Sequence, residues 1–518
     1  MYKKNCIKGS LNYIIYKNFT VVSFNGQKGE AIMVERKNSV FPVLTLVILA
    51  TFLISTFSPG ATPADKKKKE ALASIDKHQA EIIALSDRIW QLAETALEET
   101  QSSKLLADYA EAQGFKVERG VAGLPTAFVA TYGQGRPVIG VLGEYDALPG
   151  LSQKAQPVKE ALQPGAAGHG CGHNLLGTAA LSSALAIKEL IESGKLKGTV
   201  RFYGTPAEEA TGGKVYMVRA GLFNDLDACL TWHPGQKNEV SVDGSQAIVE
   251  FIVEFFGRTA HAAGDPWNGR SALAALELYT TGLNRMREFV KPTVRMHYSI
   301  LNGGDVPNVV PAYARLWCWL RDSKGTGVQQ LMERARLLAE GAALMAEVEQ
   351  KLTVCGGNWE TLVNLTGEKL MFNNMTWLGP IKFTPEEQEF AKEIQKSLGF
   401  EPKGLDETIQ PWTAPKPDPE GGSTDVGDVS WQVPTISFDV TTAPIDTPWH
   451  AWPVVACGGM SIGHKGLIYA AQILATTMID LYENPKYIQA MKEEFEQKRK
   501  GVVYQPFVPE GPPIIIKK

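Results

Sequence analysis

Beyond residue 65 the apolar positions of the chain alternate between helical and strand spacing. Over 66–98 they fall on one helical face at Ile75, Ile82, Ile89, Trp90 and Ala93, and a second helix over 101–113 stops at Gly114. The short apolar runs TAFVATY, PVIGVLG, TVRFYG and ACLTW follow, with helical stretches at 174–193 and 212–222 between them. Strands alternating with helices predict an α/β domain with a mainly parallel sheet. Three of the runs end in polar loops, GEYDALPG, TPAEEA and HPG, and sites in such sheets lie at the carboxyl ends of strands.

The middle of the chain changes rhythm. A strand over 246–256, a helix over 270–288, strands over 293–302 and 312–320, a helix over 326–347 and a strand over 350–355 give the order β-α-β-β-α-β, a split βαβ sandwich. The first rhythm then resumes with a helix over 385–398, the strand PTISFDV and a helix over 461–482. We therefore expect residues 65–244 and 367–518 to form one catalytic α/β domain, interrupted at 245–366 by an inserted ferredoxin-like α+β lid or dimerisation domain. The Pro- and Gly-rich stretch 400–422 is expected to be a long surface loop, and the tail from Val502 an extended arm.

Residues 40–57 are apolar and uncharged, preceded by Arg36 and Lys37 and followed by SPGATPAD, which is the order of a signal peptide. Met33 lies at the usual distance from such a segment, so residues 1–64 are read as an extension plus a signal-like segment over 33–64. This predicts an exported protein, periplasmic or membrane-anchored facing the periplasm. Of the chain's 518 residues, 44% are hydrophobic and 21% charged, as in an ordinary globular protein. Fifty-two basic against 56 acidic residues leave a net charge of −4, no surplus for a phosphate backbone, and nucleic acid is not an expected partner. Six scattered cysteines make no disulfide framework, and the position of the eight histidines becomes the main question.

Four clusters hold most of the potential ligands, each where a strand ends or a helix begins. In Cys171-Gly172-His173 a tight turn can aim a thiolate and an imidazole at one point. Glu208-Glu209 follow TVRFYG; in an extended segment neighbouring side chains point opposite ways, so one can bind a metal while the other faces a water. His233 directly follows the run ACLTW, and His450 follows PTISFDV across a loop. Cys, His and Glu gathered at one sheet edge predict a metal site. Two cations about 3.5 to 4 Å apart would polarise a carbonyl and activate a water, with a carboxylate moving the proton to a leaving nitrogen: amide hydrolysis.

The stretches GEYDALPG, GHGCGHNLLGTAA, GTPAEEATGGK, TWHPG, GRTAHAA, GGDVPNVVPAYA, GGSTDVGDVSWQVP and PWHAW resemble, in order and spacing, the aminoacylase and carboxypeptidase-like family of dinuclear metallohydrolases. Within it they are similar to the amidohydrolase branch that acts on auxin conjugates and aminobenzoyl-glutamate. The resemblance implies two divalent metal ions, zinc or manganese, held by Cys171, His173, Glu209, His233 and His450, with Glu208 as catalytic acid/base. It implies that Asp146 orients a ligand, that His261 reaches the scissile carbonyl from the lid, often from a partner subunit, and that Asn308 holds a substrate polar group. Asp425 resembles a second acid at the site wall, and Trp412, Trp431, Trp449 and Trp452 are candidate walls for an aromatic acyl group. Asn174 stands where auxin-conjugate hydrolases carry Asp, and Glu144 where the wider family has His or Asp. The expected substrate is a small acyl-amino acid such as p-aminobenzoyl-glutamate. The expected assembly is a homodimer or a heteromer with a homologous subunit. The alternatives are an N-acyl-amino-acid hydrolase or dipeptidase of the same chemistry, or a noncatalytic member of a two-subunit hydrolase.

Overall fold

A computed structural model describes residues 63–419 and 421–516. Of the expected export segment only Pro63 and Ala64 fall within these, where they begin the helix Pro63–Leu92; the rest lies outside the described residues.

The chain orders its strands as β1 (Lys116–Arg119), β2 (Phe128–Gln134), β3 (Val138–Gly143), β4 (Gly198–Gly204), β5 (Ala228–Leu230), β6 (His233–Gly235), β7 (Glu239–Val240), β8 (Ala247–Phe256), β9 (Arg295–Asn302), β10 (Tyr313–Asp322), β11 (Glu349–Asn358), β12 (Thr435–Ile436) and β13 (Phe438–Thr441). They form a six-stranded sheet β1-β2-β4-β3-β5-β12, a four-stranded sheet β11-β8-β10-β9 and a three-stranded sheet β6-β13-β7.

The large sheet is mainly parallel, as expected, with an antiparallel edge that makes it mixed. β4, β3, β5 and β12 run parallel, but β2 is antiparallel to both β1 and β4. The short link from Gln134 to Val138 reverses the chain between β2 and β3, which flank β4, so β2 runs antiparallel to β4 while β3 runs parallel to it. PTISFDV, read as a single strand, is divided between two sheets, and HPG, read as the loop after ACLTW, is itself a strand of a second sheet. ACLTWHPG supplies β5 and then β6, and PTISFDV supplies β12 and, after Ser437, β13.

The helix His173–Glu192 crosses from β3 to β4 and is buried along almost its whole length, because the sheet covers one side and the helices Pro63–Leu92 and Ser461–Glu483 cover the other. Its Gly, Ala, Ser and Thr positions permit that close approach. At Gly177 a Cβ would lie 2.4 Å from the Glu144 carbonyl oxygen, so only glycine lets this helix touch the end of β3. Among the described residues this is the one helix long and apolar enough to cross a membrane, and it is a core element here. Replacing a fully buried member such as Leu181 by alanine is expected to cost about 2–5 kcal/mol.

Residues 247–358 carry strands and helices in the order β-α-β-β-α-β, with the helices Ala272–Met286 and Gly325–Ala346 packed on one face of an antiparallel sheet. Between 400 and 422 the described residues form no helix or strand, as expected of a loop. The tail after Gly501 is extended and docked: the Trp359 indole N–H donates to the Gln505 carbonyl at 2.7 Å, and Phe507 stacks on the Trp359 ring.

Candidate metal centre

β3 and β4 are parallel with Gly143 opposite Gly204, so the loops that follow them leave the sheet at one edge. The first loop brings Glu144 and Asp146, the second Glu208 and Glu209. Cys171 and His173 arrive at the same edge from the start of the long helix. Gly172 between them has φ +80°, a left-handed turn, and a Cβ there would lie 2.9 Å from Pro234. His233 opens β6, and His450 precedes the helix Trp452–Gly458.

These side chains converge. Cys171 Sγ is 3.3 Å from His233 Nε2, His173 Nε2 is 3.1 Å from Glu144 Oε2, and Glu209 Oε1 is 3.4 Å from His450 Nε2. Their donor atoms form three overlapping groups, Cys171/His173/His233, Cys171/Glu209/His450 and Glu144/His173/Glu208. Every ligand expected from the sequence belongs to one of them, and Glu144 joins the set. Glu208 and Glu209 reach different groups from a turn, not from the extended segment expected, because Ala207 before them takes φ +59°. His450 is also left-handed, at φ +53°; both are uncommon conformations for residues with a Cβ, held here by their surroundings.

The cluster has the form of a cation site. Within it His173 Nε2 and Glu209 Oε1 are buried and make no aligned hydrogen bond, each facing another donor-group residue, Glu144 or His450, an arrangement that costs free energy unless a ligand completes it. The outer atoms are fixed. His173 Nδ1 lies 2.8 Å from Asp146 Oδ1, while Asp146 Oδ2 accepts from the Glu209 backbone N–H at 3.0 Å, so one carboxylate orients both residues. His233 Nδ1 is 2.7 Å from the Pro234 carbonyl, which places its proton there and leaves Nε2 as a donor to a metal. Cys171, His and carboxylate donors of this kind fit a divalent transition metal.

Electrostatics follows from burial. The Cys171 thiol is pushed up to about 12 and His233 down to about 4, each first by burial. Burial, then Glu144, Asp425 and Glu209, hold the Glu208 carboxyl well above the ordinary range. Burial opposes the charge of His173 too, but the thiol and carboxylates around it outweigh that and raise its pKa. A bound cation beside Glu208 acts in the opposite sense and favours its ionised form.

Three residues around the cluster are not marked by the sequence patterns: Lys214, Glu99 and Arg321. Lys214 is fully buried, with Nζ 2.6 Å from Asp425 Oδ1 and 2.7 Å from Glu144 Oε1. Its signal was slight, a lysine after two glycines at a helix start. Asp425, the expected wall acid, caps no helix with its side chain; it accepts from the Lys214 ammonium and backbone N–H. Buried Glu99 accepts from the Ala207 N–H at 2.9 Å and from the Thr126 hydroxyl at 3.0 Å, and so holds the left-handed residue before Glu208. The guanidinium of Arg321, at the end of β10, has no hydrogen bond or ion pair among the described residues and lies over the Trp319 ring.

Two cavities meet at the cluster. One, of about 490 Å³, is lined by Glu208, His233, Trp449 and Asp439 among others; the second, of about 460 Å³, shares Glu208, Glu209 and His450 and extends to Glu250, Trp319 and Arg321 of the four-stranded sheet. Of the expected tryptophans, Trp449 lines the first and donates to Cys171 Sγ at 3.3 Å. Trp431 and Trp452 are buried in the core, and Trp412 packs against Phe372. His261 and Asn308 are not drawn to the cluster. Both are exposed on neighbouring loops of residues 247–358, where Ala262 N–H donates to the Asn308 carbonyl at 3.0 Å and the His261 ring accepts from the Gly264 N–H at 3.0 Å.

Residues 140–451 match the model of peptidase family M20/M25/M40. The chain is 40% identical over 442 residues to one of the subunits of the p-aminobenzoyl-glutamate hydrolase of Escherichia coli, covering 80% of this chain and 91% of that one. It is 30% identical over 461 residues to the Xaa-Arg dipeptidase of Mus musculus, covering 85% and 95%. A dinuclear metal-binding peptidase of the M20 family from Bacillus subtilis shares the fold at a TM-score of 0.53 and 18% identity, covering 79% of this chain and 99% of that one. With its donor cluster at the carboxyl edge of an α/β sheet and these likenesses over most of its length, the chain belongs to peptidase family M20/M25/M40.

Proposed function

We propose that this chain is a metal-dependent amidohydrolase that cleaves the amide between an acyl or aromatic acyl group and an amino acid, with p-aminobenzoyl-glutamate as a model substrate. The observation that carries the reading is Glu208, seated in one donor group with Glu144 and His173 and lining both cavities that meet there.

Cys171, His173, Glu209, His233 and His450 would hold two divalent cations, with Glu144 adjoining. When bound, such cations polarise the scissile carbonyl and ease ionisation of a water. Zinc suits the thiolate and imidazoles, while manganese is admitted by the carboxylates. Glu208 takes the proton from the attacking water and returns it to the leaving nitrogen. Asp146 keeps His173 and the Glu209 backbone in place through the cycle. Arg321, a guanidinium without an anionic partner in the second cavity, supplies the carboxylate anchor for the amino-acid half. That assignment leaves the first cavity, with Trp449, for the acyl half.

The exposed positions of His261 and Asn308 support a further element, in which the 247–358 unit acts as a lid and offers these residues to the site of a second subunit, either another copy or a homologous chain. There His261 would donate to the developing oxyanion. An exported enzyme, periplasmic or anchored, is the reading supported by the charge-free run 40–57 behind Arg36 and Lys37; cell fractionation tests it.

The deciding experiment assays protein loaded with zinc or manganese against p-aminobenzoyl-glutamate, alone and with a homologous second subunit. Release of p-aminobenzoate is expected from wild type, with KM rising steeply in Arg321→Met. If metal-loaded protein hydrolyses no acyl-amino acid in either setting, the reading is wrong.

A further inference from the structure

The first cavity holds a carboxylate that none of the described residues satisfies. Asp439 sits in the middle strand of the three-stranded sheet, opposite His233 of β6 on one side and Glu239 of β7 on the other. Residues opposite each other in a sheet present their side chains on the same face, and neighbouring strands lie about 4.8 Å apart. Asp439 is therefore one strand spacing from a residue whose Nε2 faces the Cys171 thiol. Among the described residues no hydrogen bond or ion pair reaches its carboxylate. The wall around it offers Trp449, Ser241 and Ser437 with His233 and His450, and Lys237 lines the adjoining cavity that Asp439 also borders, but none of these forms an ion pair with it.

A half-buried carboxylate without a donor is costly unless something that enters the cavity supplies one. The proposed function already assigns the amino-acid carboxylate to Arg321 in the other cavity, so the acyl half comes to lie along Asp439. We infer that Asp439 recognises an amino group on the acyl half of the substrate, which makes the preferred substrates aminoacyl or aminoaryl amides of amino acids. This rests on the amidohydrolase reading and sharpens it: the group recognised is an N–H donor remote from the scissile bond. An aromatic amine and an aliphatic ammonium both meet that description. Asp439 acts here as a specificity residue and takes no part in proton transfer.

The test uses two matched pairs of substrates with the metal-loaded full chain: p-aminobenzoyl-glutamate against benzoyl-glutamate, and alanyl-glutamate against propionyl-glutamate. A hydrogen bond from an amine to a charged acceptor predicts a preference of about tenfold or more in kcat/KM for the amine-bearing member of at least one pair, carried mainly by KM. The pair that discriminates identifies the amine as aromatic or aliphatic. Asp439→Asn is expected to bring that ratio down to about twofold, and Asp439→Glu to retain most of it. Calorimetric binding of p-aminobenzoate against benzoate, and of alanine against propionate, gives a readout independent of turnover. Hydrolysis of both pairs without discrimination, or a ratio that Asp439→Asn leaves at the wild-type value, overturns the inference and leaves the amidohydrolase reading standing. Amine-selective binding that Asp439→Asn abolishes, in a protein that hydrolyses neither pair, upholds Asp439 and removes the amidohydrolase reading.

Discussion

The ammonium of Lys214 lies 2.6 Å from Asp425 and 2.7 Å from Glu144, with all three side chains removed from water. Burial disfavours the charge on Lys214, but the two carboxylates outweigh it and raise its pKa. Burial also disfavours ionisation of Glu144, yet Lys214 and His173 hold its carboxyl below the ordinary value. The triad ties three places far apart in sequence: the end of β3, the helix Gly213–Arg219 and the short helix Val426–Ser430.

Removing the cation strands two buried acids. Lys214→Met is expected to cost about 3–5 kcal/mol of stability, seen as a lowered urea midpoint, because breaking a buried pair leaves uncompensated charge. The triple change Lys214→Met with Asp425→Asn and Glu144→Gln should recover much of the loss. A single variant as stable as wild type would show that charge balance is not the role of this lysine.

Glu208→Gln keeps the shape of the side chain and loses the base. Turnover should fall by about 10²–10⁴, with bound metal unchanged by elemental analysis. Loss of metal in parallel with activity would instead assign Glu208 to the ligands.

Metal binding should release a proton at neutral pH. Without metal the Cys171 thiol is held up to about 12 by burial and is protonated, whereas a ligand sulfur is a thiolate. Affinity therefore rises with pH, by about tenfold per unit where one proton is displaced. Calorimetry in buffers of different ionisation enthalpy measures the proton count, and Cys171→Ser should lower it by one, His173 with its raised pKa contributing separately. An unchanged proton count in that variant would place the titration elsewhere.

Glu99 has the opposite pH signature to most carboxylates. Burial first, then the charge of Asp146, push it up to about 7 in the folded chain, above its unfolded value near 4.5. The protonated form is thus favoured by folding, and the stability it brings is full below the unfolded value and is lost as pH rises through about 7. Glu99→Gln should flatten that part of the stability profile measured by urea unfolding between pH 5 and 8. Glu99→Ala removes the acceptor of the Ala207 N–H as well, and is expected to cost about 1–3 kcal/mol and to lower kcat by loosening the turn that carries Glu208. A stability profile of the same slope in both Glu99 variants and wild type would contradict this assignment.

The sequence by itself determined the elements and the chemistry. Helical and strand spacing of apolar residues marked the helix 174–193, the strands at 137–143 and 199–204, and the β-α-β-β-α-β order of the middle, because periodicity records which face each element buries. Cys171, His173, Glu208, Glu209, His233 and His450 were legible because ligand types at strand ends are few and their loops are distinctive. Tertiary structure alone decided the rest. It set β2 antiparallel in a mixed sheet, and divided PTISFDV so that Asp439 stands beside His233. It placed Lys214 between Asp425 and Glu144, and left His261 and Asn308 exposed. Periodicity carries no information about which strand pairs with which, and a buried lysine looks like any surface lysine until the two acids that neutralise it, distant along the chain, are brought within hydrogen-bond reach.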